Sequence, residues 1–292
     1  MAPESLIAVV GPTASGKTRL ALELARRMGA EIVSADMGQL YKTLDAGTAK
    51  PEGSWEDGVF RVEGIPYHMV DILDPAQNTD AGSYAQAAAP LLERGKPVVV
   101  VGGTGLYVRA LLEGLDPLPR RDDALRERLS REDRSSLHAK LAGLDPEAAK
   151  RIPASNIQRV IRALEVVELT GKPISAQWSK KRTSTALYFG LKLGKEELDR
   201  RIRERAASMF PAMLEEVREL VPSRYSGDEP GFRLLGYPEA LRTLRGELTP
   251  EEGLESMTAS TLAYAKRQRT WFRNQVAARW LDPGTACEEV LA

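Results

Sequence analysis

The chain has 292 residues, 41 Lys+Arg against 41 Asp+Glu, 42% hydrophobic and 28% charged. That is an ordinary globular composition with room for one large domain and a smaller one, and no apolar run approaches the ~18 residues of a membrane span. The single Cys287 excludes an internal disulfide and a cysteine metal cluster, and the N-terminus lacks a basic, apolar signal segment, so a cytoplasmic location is expected.

The first strand signal is the apolar run 6–10. It leads into Gly11-Pro12-Thr13-Ala14-Ser15-Gly16-Lys17-Thr18 and then a helical stretch at 17–28. Strand, GxxxxGK[ST] loop and helix together are the context in which this pattern binds phosphate. The glycines let several N–H groups converge on one anion, and the helix N-terminus adds partial positive charge. Lys17 supplies a mobile cation, and the Thr18 hydroxyl is a candidate Mg²⁺ ligand. Further strand signals fall at 31–34, 67–73 and 97–101, with a helix at 83–94 between the last two. The four consecutive valines at 98–101 suit a central parallel strand. The alternation predicts a P-loop α/β fold, a doubly wound and mostly parallel sheet.

The pattern changes at Pro117. Short, charged helical pieces at 122–132, 135–142, 146–151 and 155–170 end at Gly171-Lys172-Pro173, a glycine cap followed by proline. A strand signal at 186–193 returns the chain to the sheet, and helices are expected at 195–206, 208–220, 237–245 and 251–279. Residues 1–116 and 184–292 are therefore read as the core with C-terminal helices, and 117–183 as a helical insertion.

Beyond the loop, four segments are candidates for chemistry. Ser34-Ala35-Asp36-Met37-Gly38-Gln39-Leu40-Tyr41 follows a strand whose C-terminal end faces the ligand crevice. Asp36 there suits a Mg²⁺ ligand, a general base, or simply the N-cap of a short helix. Gly102-Gly103-Thr104-Gly105 follows the valine run and either allows close approach of a ligand, with Thr104 at the mouth, or packs as a tight turn. Asp71 reads as turn chemistry beside Asp74-Pro75 rather than as a metal ligand. The segment 156–164 places Gln158, Arg159 and Arg162 near one another on a helix whose apolar stripe is Val160, Ile161 and Leu164. Such a face suits phosphates and base edges, or plain solvent. In 264–273, Lys266, Arg267, Arg269 and Arg273 interleave with Tyr264, Trp271 and Phe272. Nucleic-acid contact and docking of the rings on a core are both consistent with that pattern, and compatible with each other.

In order and spacing, GPTASGKT, SADMGQLY with DAGTAKP, VGGTGLY, NIQRVIRALEVVELTGKPIS and YAKRQRTWFRN resemble the tRNA dimethylallyltransferases, also called tRNA isopentenylpyrophosphate transferases, of the bacterial type. The resemblance spans nearly the whole chain. It implies transfer of a dimethylallyl group from dimethylallyl diphosphate to the exocyclic amine of the adenosine 3′ of the anticodon, with Mg²⁺. Residues 11–18 would then hold the diphosphate, with Lys17 and Arg205 stabilising its departure; Asp36 would be the base, and Thr104 would orient the amine. It also implies tRNA contacts at Asp36, Met37, Gly38, Gln39 and Thr104, at Arg126, at Gln158, Arg159, Val160, Ile161 and Arg162, and at the basic residues of 264–273. A monomer is expected. Two segments depart from the family pattern: Met37-Gly38 after the aspartate, and Ile152-Pro153-Ala154-Ser155-Asn156 before the Gln-Arg segment. The rival readings are an adenylate isopentenyltransferase, a P-loop small-molecule kinase and a non-enzymatic RNA-binding protein.

Overall fold

The computed structural model describes residues 6–178 and 184–292. The chain opens with strand β1 (Leu6–Val10), helix α1 (Lys17–Met28) and strand β2 (Glu31–Ser34). A meander of β3 (Ser54–Glu56), β4 (Val59–Val62) and β5 (Ile65–His68) precedes α2 (Ala81–Leu92), β6 (Val98–Gly102) and α3 (Gly105–Leu112). Four helices follow: α4 (Asp123–Ser130), α5 (Arg134–Leu144), α6 (Pro146–Arg151) and α7 (Ile157–Thr170). Strand β7 (Leu187–Leu191) then leads to α8 (Lys195–Leu220), α9 (Tyr237–Leu244), α10 (Pro250–Gln275), β8 (Arg279–Leu281) and α11 (Ala286–Leu291).

The sheet order is β3-β4-β5-β2-β6-β1-β7-β8. Strands β5 through β8 in that order are parallel, as the alternation predicts, and β4 and β3 extend one edge antiparallel. The valine strand β6 lies between β1 and β2, with Gly102 opposite Val10 and Val101 opposite Ser34. Its four valines are at most 2% exposed, which is why they form a continuous apolar run rather than an alternating one. This order brings the C-terminal ends of β1, β6 and β2 side by side, and with them the three loops of interest.

Several elements differ from the sequence expectation. The strand expected at 67–73 ends at His68, because Met69 and Asp71 turn the chain with φ of 63° and 52°. The helices expected at 195–206 and 208–220 are one, α8, running through Pro211. One buried stripe (Leu198, Ile202, Ala206, Phe210, Met213, Val217) continues across the proline and holds the helix together. The helix expected to reach 279 stops at Gln275, and Arg279–Leu281 pairs with β7 instead.

The chain divides into two compact units, Met1–Leu112 with Ser184–Ala292, and Glu113–Thr183. The division falls at Glu113 rather than Pro117, and the expected end of the insertion at 183 lies outside the described residues. Within the smaller unit, Leu129, Leu137, Leu141, Val160 and Leu164 are fully buried. So is Glu165, whose carboxylate accepts from the Asp122 N–H at 2.7 Å, Arg126 Nε at 3.0 Å and Arg162 Nη1 at 2.6 Å. A buried carboxylate is tolerated only when paired and hydrogen-bonded in this way.

Removing that carboxylate strands two partly buried arginines. Glu165→Ala is predicted to destabilise the smaller unit by about 2–4 kcal/mol, a discount on the usual cost of breaking a buried pair because both arginines keep some water. Urea unfolding followed by fluorescence of Trp178, with Trp55, Trp271 and Trp280 replaced by Phe in both proteins compared, checks this, and an unchanged midpoint contradicts it.

Candidate active site

The loop 11–18 leaves β1 with Gly11 at φ 143°, Ala14 at 61° and Gly16 at 93°. Gly16 is also the left-handed residue that opens α1. A Cβ there would meet only ordinary contact, 3.7 Å from Leu191 Cδ1; the positive φ, not crowding, is what requires glycine. Lys17 is 9% exposed and its Nζ donates to the Pro12 carbonyl at 3.1 Å. Burial pushes its ammonium down to about 8; the nearby Asp36 carboxylate opposes that shift, and Arg205 adds to it. The hydroxyl of Ser15 is buried and has no hydrogen-bond partner among the described residues, a deficit that an anion in the loop is placed to relieve.

The glycines of the second turn are there for crowding. A Cβ on Gly102 would stand 2.1 Å from the Ala35 carbonyl oxygen, one on Gly103 2.3 Å from Gln268 Nε2, and one on Gly105 2.2 Å from the Trp271 ring. Both the β2 loop and α10 therefore press against this turn. The tight-turn reading of these glycines holds, and it places Thr104 at the site. Thr104 N–H donates to the Ala35 carbonyl at 3.1 Å, and its Oγ1 accepts from the Met37 N–H at 3.0 Å. Asp36 Oδ1 accepts from the Gly38 N–H at 3.1 Å, so the carboxylate is also a local turn-capping group.

Helix α10 closes the arrangement through a residue that the sequence reading did not single out. Gln268 is 5% exposed; its Oε1 accepts from the Thr13 N–H at 2.9 Å and its Nε2 donates to the Gly103 carbonyl at 2.8 Å. Its signal in the sequence is a polar residue on the same helix face as buried Ala265 and Phe272, four residues after Tyr264. From α8, Arg205 Nη1 reaches Thr13 Oγ1 at 3.4 Å; burial lowers its pKa, opposed by Asp36. Lys17, Asp36 and Arg205 are thus mutually within electrostatic reach.

These residues surround a cavity of about 230 Å³. Thr13, Ala14, Lys17, Thr18, Asp36, Thr104 and Arg205 form its polar side, and Ile202, Ala206, Met209, Leu234 and Met257 form an aliphatic wall. The loop Gly47-Thr48-Ala49 also lines it and is held in place by Glu216, which accepts from the Asp45 and Ala46 N–H groups at 2.7 and 2.8 Å. Asp71 lies outside the cavity and pairs with Lys50, in line with its structural reading.

Other expected contact residues divide by exposure. Met37, Gln158, Arg159, Lys266, Arg267 and Arg273 are exposed, and Arg269 is half-buried. Phe272 is fully buried and Trp271 packs on Gly105 with Arg109 5.8 Å from its ring, so docking of the aromatics coexists with an exposed basic face on α10. Val160 and Ile161 are 0% and 4% exposed and belong to the apolar core, in keeping with the apolar stripe read from the sequence. Arg126 and Arg162 are held by Glu165. Gly38 is buried, and the buried Gln39 amide is engaged by Ser34 Oγ at 2.7 Å and the Ala49 carbonyl at 3.2 Å.

A phosphate loop, a lysine, a hydroxyl and a carboxylate facing one cavity at the C-terminal edge of a parallel sheet define a P-loop protein built for group transfer. A family model described as IPP transferase matches residues 39–275, and one described as Isopentenyl transferase matches residues 4–62. A tRNA dimethylallyltransferase of Elusimicrobium minutum is 42% identical over 279 residues, covering 91% of this chain and 90% of that protein. One from Geobacter sulfurreducens is 40% identical over 290 residues, covering 95% and 91%. The crystal structure of a tRNA isopentenylpyrophosphate transferase from Bacillus halodurans superposes with a TM-score of 0.69 at 34% identity, covering 98% of this chain and 93% of that one. The fold is shared as well with a eukaryotic dimethylallyltransferase, at a TM-score of 0.76 and 23% identity over 96% of this chain and 74% of that one. The chain belongs to the IPP transferase family.

The state of Lys17 yields a prediction. With the folded pKa near 8 and an ordinary value of 10.5, the unfolded chain binds more protons between those two pH values. The Lys17 contribution to stability is therefore present above 10.5 and lost as pH falls through about 8. A bound anion favours the charged form, so binding of sulfate, which does not itself titrate here, is predicted to take up protons at pH 9 and none at pH 6. Calorimetry in buffers of different ionisation enthalpy measures this. Uptake at pH 9 that persists in Lys17→Met contradicts the assignment.

Proposed function

We propose that the protein is a tRNA dimethylallyltransferase, transferring a dimethylallyl group from its diphosphate to the N6 amine of the adenosine 3′ of the anticodon. The observation that carries the reading is the composition of the cavity. A phosphate loop is adjoined by an aliphatic wall of Ile202, Ala206, Met209, Leu234 and Met257, with Asp36 and Thr104 also at the cavity. At about 230 Å³ it is smaller than the roughly 300–1,000 Å³ of a typical drug-sized ligand site. The aliphatic wall beside the phosphate loop suits a five-carbon chain on a diphosphate. The exposed Lys266, Arg267 and Arg273 on α10 support a tRNA substrate, as do the relatives that carry the name.

In this reading the N6 nitrogen attacks the allylic carbon as the carbon–oxygen bond to diphosphate breaks, and the leaving group departs with the electron pair. Loop N–H groups, Lys17 and Arg205 stabilise the charge that accumulates on the diphosphate oxygens. Asp36 takes the proton released by the amine, and Thr104 orients the amine. The target base must leave its stack to reach the cavity, and exposed basic side chains then hold the flanking backbone. Thr18 and Asp36 line the same cavity, and no group of three or more His, Cys, Asp or Glu among the described residues forms a dedicated metal cage. This fits Mg²⁺, which takes one or two protein oxygens and completes its shell with phosphate oxygens and water. When bound, it supplies additional positive charge to the leaving group. No helix of the described residues is long and apolar enough to cross a membrane; the reading places the enzyme in the cytoplasm, acting as a monomer.

The test offers labelled dimethylallyl diphosphate with Mg²⁺ to unmodified tRNA and to AMP in parallel. Label in tRNA alone is expected. Label in AMP would move the protein to the adenylate-modifying class, and turnover of ATP with no prenyl transfer would make it a kinase. Asp36→Ala is predicted to lower kcat by about 10²–10⁴-fold with a smaller effect on tRNA affinity. Full turnover by that variant removes Asp36 from the role of base.

A further inference from the structure

The loop 45–49 brings Gly47, Thr48 and Ala49 to the cavity, and it is tied at its start to two side chains that do not line it. Glu216 Oε2, on α8, accepts from the Asp45 and Ala46 N–H groups at 2.7 and 2.8 Å. The Gly47 N–H donates to the Tyr237 hydroxyl oxygen at 3.2 Å, and that hydroxyl donates to Glu216 Oε1 at 2.7 Å. A phenol has one proton, so with Gly47 as donor and Glu216 as acceptor the direction of both bonds is fixed. Three successive backbone N–H groups therefore end on one Glu216–Tyr237 pair. Tyr237 is fully buried, and its ring packs so closely on the loop that a Cβ on Gly47 would stand 2.6 Å from Cε2. Burial and the Glu216 charge push the phenol's pKa up, which keeps its proton on the oxygen.

The other side of the loop rests on the segment that carries Asp36. The Ala49 carbonyl accepts from Gln39 Nε2 at 3.2 Å. Gly38 lies between Thr48 and the carboxylate: a Cβ there would stand 3.3 Å from Thr48 Cγ2 and 3.5 Å from Asp36 Oδ1. The Gly38 N–H in turn donates to Asp36 Oδ1 at 3.1 Å. We propose that Tyr237 is a positioning residue: with Glu216 it holds the loop 45–49 against Gly38 and Gln39, and so fixes Asp36 with Oδ1 on the Gly38 N–H and Oδ2 presented to the attacking amine. The inference rests on the transferase reading above. As the nitrogen–carbon bond forms and the carbon–oxygen bond to diphosphate breaks, the amine proton goes to Oδ2, and the Glu216–Tyr237 pair exchanges no proton. Lys50 pins the far end of the loop, donating to the Tyr41 carbonyl and pairing with Asp71. Loss of the phenol hydroxyl therefore loosens the loop without releasing it.

Two variants, each also made with Asp36→Ala, separate this role from a structural one. In every protein kcat is referred to sites counted by binding of dimethylallyl thiodiphosphate, so partial unfolding lowers the count and not the rate per site. Tyr237→Phe is expected to lower kcat about tenfold, the scale of one hydrogen bond to a charged group, with KM for dimethylallyl diphosphate unchanged within about twofold. Glu216→Gln breaks the link by another route, since in either orientation its NH2 faces a donor, and the same loss is expected. In the Asp36→Ala background neither change is expected to cause a further loss, because both act through Asp36. Undiminished kcat in Tyr237→Phe overturns the proposal, as do losses that multiply with that of Asp36→Ala. A raised KM for tRNA at unchanged kcat makes the loop a tRNA contact instead and also overturns it. Loss of the counted sites in both variants assigns the pair to the fold, with the same consequence. Absence of transfer by the wild type overturns the transferase reading and this proposal with it, whereas wild-type transfer with fully active variants overturns the proposal alone.

Discussion

One buried amide ties three parts of the chain together. Gln268 takes an N–H from Thr13 in the phosphate loop and gives one to the carbonyl of Gly103 in the turn after β6. Both backbone groups would otherwise lack these partners, and an unmet buried donor or acceptor costs about 1–3 kcal/mol. The loop, the glycine turn and α10 are therefore fixed relative to one another before any ligand arrives. The glycines at 103 and 105 permit the approach, since a Cβ at either would collide with α10.

Sheet order supplies the rest of the convergence. Because β6 lies between β1 and β2, the loop carrying Lys17, the turn carrying Thr104 and the segment carrying Asp36 emerge as neighbours. Two cations and one carboxylate then share one cavity. Burial weakens the charged form of both Lys17 and Arg205, and Asp36 offsets part of that cost. In the proposed reaction the diphosphate completes the balance. It brings the negative charge that the site lacks, and its departure in the transition state increases the charge those cations face.

Much of this was legible in the chain. The strand, loop and helix at 6–28 and the valine run at 98–101 have local patterns strong enough to fix their structure and place. Asp36 and Thr104 followed from the rule that ligands sit beyond the C-terminal ends of parallel strands. The β3–β5 meander carried a signal that went unread: Asp57-Gly58 and Glu63-Gly64 both take positive φ, as two-residue hairpin turns do. Gln268 left only a weak signal, its place on the helix face of Ala265 and Phe272, and nothing local shows that its amide bridges distant backbone groups. Val160 and Ile161, by contrast, were legible as the apolar stripe of α7 although they lie within a basic segment. Arg162 could not be assigned from sequence, since its partner Glu165 is recognisable only once its burial is known.

The central claim is that the phosphate loop serves a prenyl diphosphate and not a nucleotide. Equilibrium binding of the unreactive dimethylallyl thiodiphosphate, competed separately with inorganic diphosphate and with ATP, tests it most directly. The account predicts saturable binding that is displaced by diphosphate, weakly affected by ATP and lost in Lys17→Ala. Tight ATP binding with no detectable prenyl ligand would contradict it.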